Sequence, residues 1–238
     1  MIEDSILVDD WQVVTRSSDV PEAEPYGTTL LDEDIVLWRQ NGQVMAWKDL
    51  CLHRGTRLSM GTIDDSGRLE CPYHGWTYNT EGQCVKIPAH PAQPPPARFK
   101  VEKYSARVMF DWILVSLGDP DLEPPEFPEW EDDNYRKIFC GPYHYDAAAP
   151  RAIENFLDVA HLPFVHDGII GDRDHPRIED FEVESSQSGI ESGDVEVWQP
   201  DPDGSGEGGY VNYTYRTYRA LTAMFSKEQE GKRFKNFV

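Results

Sequence analysis

Two short loops constrain this chain more than any other feature. Cys51-Leu52-His53-Arg54-Gly55 and Cys71-Pro72-Tyr73-His74-Gly75 each offer one thiol and one imidazole and end on glycine, with 17 residues between His53 and Cys71. A structural zinc site is the plain reading of two cysteines and two histidines. Zinc fingers, however, put both cysteines in one hook and both histidines in the other. Here each hook carries one of each. Mixed hooks suit a pair of metal ions, one taking both thiolates and the other both imidazoles. A fold that serves such hooks must hold two glycine-bearing loops side by side.

The remaining cysteines, Cys84 and Cys140, have no histidine beside them and read as ordinary thiols, since free cysteine packs as a small hydrophobe. The N-terminal MIEDSILVDDW is acidic where a secretion signal or transit peptide would be basic, which points to the cytoplasm and to metal binding rather than disulfides. No apolar stretch reaches the roughly 20 residues of a membrane span. With 43 acidic against 22 basic residues and a formal charge of −21, neither nucleic acid nor an anionic membrane is expected as partner. The exception is residues 51–107, where bases outnumber acids and where an acidic partner protein would find its docking surface.

Short apolar runs at Ile6–Val8, Trp11–Val14, Ile35–Trp38 and Val44–Trp47, broken by turn formers such as Asn41-Gly42, predict strands and hairpins. The pattern continues through Leu69, Trp76–Tyr78 and Arg107–Leu117, so residues 1–118 read as a small all-β domain. DPDLEPPEFPEWEDDN, residues 119–134, is too acidic and proline-rich to build a core and reads as an extended linker. From 135 to 238 the reading is α+β. A helix is predicted over Arg151–His161, with strands near Phe181–Val183, Gly193–Trp198 and Tyr210–Tyr218, and a flexible loop over 201–209. KRFKNFV at the end reads as a strand in progress, hence as a fragment or early-terminated chain.

CLHRG…CPYHGW resembles the Rieske motif of the Rieske non-haem iron oxygenases. By that resemblance Cys51 and Cys71 ligate the inner iron of a [2Fe–2S] cluster, and His53 and His74 the outer one. Respiratory Rieske proteins carry an extra cysteine in each loop; here Thr56 and Tyr73 stand there, and Trp76 stands where a serine often donates to a bridging sulfide. Fewer hydrogen bonds to sulfur imply a potential at the low end of the Rieske range.

A second constellation is Asp158-x-x-His161-x-x-x-x-His166. Histidines five apart sit about 140° apart on a regular helix. Pro163 between them is expected to break that helix and turn His166 back toward His161. The motif is similar to the mononuclear iron site of the same oxygenases, where two histidines and one carboxylate leave positions open for O₂. The resemblance makes His161 and His166 ligands of a mononuclear Fe(II). It makes Asp158 the carboxylate that links this iron to a Rieske histidine of the neighbouring subunit in a homotrimer, with Asn155 in the same relay. The family's third ligand lies far beyond the second histidine and would fall past Val238. Asp167, Asp172, Asp174 and Glu179 do not fit its arrangement, so the third carboxylate is not in the chain.

The resemblance implies a Rieske [2Fe–2S] domain followed by the first part of a helix-grip-like α+β catalytic domain. Within the family the chain is similar to the homotrimeric branch of vanillate and dicamba O-demethylases, pheophorbide oxygenase-like proteins and saxitoxin-biosynthesis oxygenases, KIPAHP being closest to the last. It implies an oxygenase that takes electrons from NAD(P)H through a separate reductase or ferredoxin and uses O₂ to hydroxylate or demethylate a small organic substrate. An electron carrier with an appended domain and a non-catalytic relative are the alternatives. Iron content separates carrier from oxygenase. His90, His144 and His175 have no partner pattern, and Tyr210, Tyr213, Tyr215 and Tyr218 read as core packing.

Overall fold

The computed structural model describes residues 2, 4–187, 189–229 and 231–238. The chain forms two compact units that divide between Pro124 and Pro125.

The first unit opens with α1 (Ser5–Val8), then β1 (Gln12–Arg16), β2 (Tyr26–Leu30), β3 (Glu33–Gln40) and β4 (Gln43–Lys48). Short strands β5 (Thr62–Ile63), β6 (Leu69–Glu70), β7 (Thr77–Tyr78) and β8 (Cys84–Lys86) follow, and then β9 (Lys103–Met109) and β10 (Trp112–Ser116). A six-stranded sheet runs β1-β10-β9-β4-β3-β2, and a four-stranded sheet runs β5-β6-β7-β8. The expected strand at Ile6–Val8 is instead a single helical turn, because the Asp4 carboxylate accepts the Ile6 N–H at 3.0 Å and caps it.

Three tight hairpins shape the larger sheet. Asn41 and Gly42 take φ of +51° and +78°, the left-handed pair that a type I′ turn requires. Leu31-Asp32 and Phe110-Asp111 do the same with side chains that disfavour it. The run Arg107–Leu117 is therefore two strands joined by a turn.

Strand β3 is buried on both faces, and period-two alternation sorts its residues into two cores. Ile35 and Leu37 join Val44, Ala46, Ile113 and Val115 on one side. Val36 and Trp38 join Trp47, Leu58, Cys51 and Cys71 on the other. Full burial of an aliphatic chain such as Leu37 contributes about 1.5–3 kcal/mol. The second core includes Cys51 and Cys71 of the two Cys-His loops, so loop geometry and domain stability rest on the same side chains.

Residues 119–124 are tied down rather than extended. The Trp11 indole N–H donates to the Leu122 carbonyl at 3.0 Å, and Glu123 pairs with Arg107, whose guanidinium lies 4.4 Å over the Trp11 ring. In the second unit, Phe127 stacks on Phe237 at 5.2 Å and Glu129 pairs with Lys235.

That second unit contains α2 (Ala149–Leu157), α3 (Leu162–Val165), β11 (Val183–Ser186), β12 (Gly189–Ser192), β13 (Val195–Gln199), β14 (Gly209–Arg219), β15 (Thr222–Gln229) and β16 (Lys232–Phe237). The sheet order is β11-β12-β14-β15-β16, with β13 also paired to β14. The expected helix over Arg151–His161 starts two residues earlier and stops at Leu157, where Asp158 turns extended at φ −80°, ψ 113°. No helix among the described residues is long and apolar enough to cross a membrane.

Candidate metal centres

The two hooks fold into the same loop twice. The Cys51 N–H donates to the Thr56 carbonyl at 2.8 Å and the Gly55 N–H to the Cys51 carbonyl at 2.9 Å. The Cys71 N–H donates to the Trp76 carbonyl at 2.8 Å and the Gly75 N–H to the Cys71 carbonyl at 3.0 Å. Gly55 and Gly75 hold φ of +73° and +66°, which a side chain would strain. The equivalence of these loops explains why glycine follows each cysteine by four.

Each loop buries its cysteine and exposes its histidine. Cys51 and Cys71 are both 2% exposed, while His53 and His74 lie at the surface with ring centroids 4.5 Å apart. Four donors of this kind fit a cluster whose inner metal takes sulfur and whose outer metal takes nitrogen. Burial pushes the Cys71 thiol above its ordinary pKa, and the backbone N–H groups of Tyr73 and His74 pull it back by favouring the thiolate. Desolvation, His74 and Arg54 together lower the His53 pKa, which favours the neutral imidazole that a metal requires.

Two neighbours of the hooks were not singled out in the sequence for these contacts. The Tyr78 hydroxyl lies 3.3 Å from Cys51 Sγ. Burial, then Cys51, raises its pKa well above that of an ordinary phenol. Either atom can donate while Cys51 is a thiol; against a Cys51 thiolate only the Tyr78 hydroxyl can. The expectation of a sulfur environment poor in hydrogen bonds overlooked it. Tyr78 stands seven residues after Cys71, but only the β6–β7 pairing brings it under Cys51. The second neighbour, Trp76, stacks on His53 at 4.7 Å with planes 3° apart.

At the other constellation the chain bends at Asp158, whose Oδ1 accepts the Ala160 N–H at 2.8 Å. Asp158 Oδ2 lies 3.3 Å from His161 Nδ1. That nitrogen is buried and has no aligned hydrogen bond, and with the carboxylate beside it Nε2 is the nitrogen that would be open to a metal. His161 and His166 flank α3 at its two ends, with ring centroids 5.2 Å apart. Pro163 does not break a helix there. It sits in the first turn of α3, where a missing N–H costs nothing, and the break comes earlier, at Asp158. Asn155 is exposed on α2 and reaches the site through its carbonyl, which accepts the Asp158 N–H at 3.4 Å.

The nearby carboxylates are engaged elsewhere: Asp167 with Arg173 at 3.0 Å, Asp172 with His175 at 3.4 Å, Glu179 with Arg177 at 2.9 Å. Among the described residues, no group of three or more His, Cys, Asp or Glu is arranged around one metal ion. Tyr213 is buried, and its hydroxyl accepts from Gln199 Nε2 at 2.8 Å. Burial, then Tyr213 and Asp158, raises the Tyr215 pKa.

Residues 10–105, which carry both hooks, match the Rieske [2Fe-2S] domain, and residues 145–202, which carry the histidine pair, match the vanillate O-demethylase oxygenase C-terminal domain. The chain belongs to the Rieske oxygenase family. It is 34% identical over 169 residues to methylxanthine N1-demethylase NdmA of Pseudomonas putida, covering 68% of this chain and 48% of that protein. It is 32% identical over 212 residues to chloroplastic pheophorbide a oxygenase of Oryza sativa subsp. japonica, covering 79% of this chain and 39% of that one. The structure of Pseudomonas putida CBB5 NdmA with caffeine superposes with a TM-score of 0.84 at 26% identity, covering 98% of this chain and 70% of that one. The chain thus spans about half the length of the first curated relatives it matches.

Proposed function

We propose that this chain is the iron-bearing part of an oxygenase that hydroxylates or oxidatively demethylates a small organic substrate, using O₂ and electrons that originate in NAD(P)H. Cys51 and Cys71 hold the inner iron of the [2Fe–2S] cluster and His53 and His74 the outer one. His161 and His166 hold a mononuclear Fe(II), which supplies the site of dioxygen activation when bound. The observation that carries this reading is the repeated loop that buries each cysteine and exposes each histidine.

The protein's own groups have separate tasks. The duplicated loops fix ligand spacing with backbone hydrogen bonds. Tyr78 donates to a ligating sulfur and tunes the cluster. Asp158 orients the His161 imidazole through Nδ1 and has a half-exposed carboxylate that accepts a second hydrogen bond, from a Rieske histidine of a neighbouring subunit in a homotrimer. A separate reductase or ferredoxin delivers the electrons.

Tyr78→Phe tests the tuning role. The hydrogen bond favours the reduced cluster, whose sulfurs carry more negative charge. At about 0.5–1.5 kcal/mol, and about 59 mV per tenfold for one electron, its loss should lower the potential by about 20–60 mV. A redox titration followed by the cluster's paramagnetic signal checks this, and an unchanged potential removes Tyr78 from the tuning set. Iron analysis tests the wider reading, since only an oxygenase carries mononuclear iron beyond the cluster's own.

A further inference from the structure

Residues 51–107 carry eight basic residues in a chain of net charge −21. Five of them are matched by acids: Arg57 by Asp34, Arg68 by Asp64, Lys86 by Glu70, Lys103 by Glu81 and Arg107 by Glu123. The excess then rests on Arg54, Arg98 and Lys100, which are exposed and form no ion pair among the described residues. Lys100 adds a second positive charge beside Glu81, whose carboxyl pKa is lowered by Lys103 first and then by Lys100.

Arg98 and Lys100 flank Phe99, and Phe99 leads inward. The Arg98 guanidinium lies 5.1 Å over the Phe99 ring, Phe99 stacks on Trp76 at 5.3 Å, and Trp76 stacks on His53 at 4.7 Å. An unbroken row of π-systems thus joins this cationic flank to a cluster ligand. The proposed function gives one of the two exposed Rieske histidines to the neighbouring subunit's Asp158, which occupies the face over the cluster. A second protein must therefore approach the cluster from the side.

We propose that an acidic one-electron donor protein docks on the flank formed by Arg98, Phe99 and Lys100, at the outer end of the Trp76–His53 stack. The inference rests on the assignment of Cys51, His53, Cys71 and His74 to the cluster. One electron leaves the donor's reduced centre, which is oxidised by one unit, and the cluster is reduced by one unit; no bond or proton is exchanged. The unmatched bases attract the donor through charge complementarity, and Phe99 supplies the apolar contact at the centre.

The probe is an acidic plant-type [2Fe–2S] ferredoxin, with reduction of the Rieske centre followed by stopped flow. The rate constant should fall as salt rises. Arg98→Glu/Lys100→Glu should lower it about 10-fold at low salt and flatten the salt dependence. Calorimetric binding of gallium-substituted ferredoxin, which transfers no electron, should weaken by a similar factor. Arg177→Glu/Lys232→Glu, an equal charge change in the other unit, should leave rate and binding as in the wild type. The proposal is overturned if the Arg98/Lys100 variant reduces and binds normally, or if the control variant loses as much. Dithionite separates this from failure of the underlying assignment: a protein that dithionite does not bleach has no cluster, and both readings then fall.

Discussion

The Cys71→Ala protein is expected to purify colourless, without iron–sulfur absorption in the visible and with the cluster's iron missing. Cys71 is buried among Leu58, Leu69, Tyr78 and Cys84, so a thiolate there is stable only against a metal or directed donors. With the sulfur gone, the second loop keeps its glycine turn but retains only His74 as a ligand. Because the cluster ties two loops 20 residues apart in sequence, its loss should also lower the unfolding temperature of the first unit. Cys84→Ala is the matching control. Cys84 is equally buried, and burial raises its pKa too, but it lies on β8 outside both hooks. It should keep full colour and iron. Visible spectra with iron and sulfide analysis decide between them, and a red Cys71→Ala protein would remove Cys71 from the ligand set.

Asp158→Asn is the second large effect. The amide keeps an oxygen for the Ala160 N–H, so the bend after α2 survives and the fold should not change. It replaces the oxygen 3.3 Å from His161 Nδ1 with an NH₂ group, turning an acceptor into a donor. A surface acid of no further role would cost little under that change. A carboxylate that orients one metal's imidazole and accepts from another's should cost product formation at least about 10-fold, the lower end for groups that hold ligands in place. Iron content, colour and dithionite reduction of the Rieske centre should stay at wild-type values, and Asp158→Glu should restore part of the loss. Turnover of Asp158→Asn near wild type, in the complete oxygenase, would show that electrons take another path.

These predictions draw on residues of very different legibility. The hooks were readable because their chemistry is local: cysteine, histidine and glycine stand within five residues of each other in each loop. The Asn41-Gly42 turn was readable for the same reason. Leu31-Asp32 and Phe110-Asp111 form the same turn with no glycine, driven by the pairing of their flanking strands, so the second of them was hidden inside an apolar run. Asp4 turned an apolar tripeptide into a helix through one capping bond. Pro163 drew attention to the right segment for the wrong reason, since Asp158 ends one helix and Pro163 begins the next. Tyr78 was out of reach because its partner, Cys51, lies 27 positions away. The basic stretch was visible as a count, but its unmatched members emerged only from the ion pairs.

The central claim is that Cys51, His53, Cys71 and His74 together hold one mixed-ligand [2Fe–2S] cluster. Pulsed electron paramagnetic resonance on the reduced wild-type protein tests it most directly, because it reports which nuclei are bonded to the iron. The account predicts strong nitrogen couplings from both the His53 and His74 imidazoles, with one coupling lost in His74→Cys. A cluster that shows no imidazole nitrogen, or a colourless protein holding stoichiometric zinc in the same four residues, would contradict it.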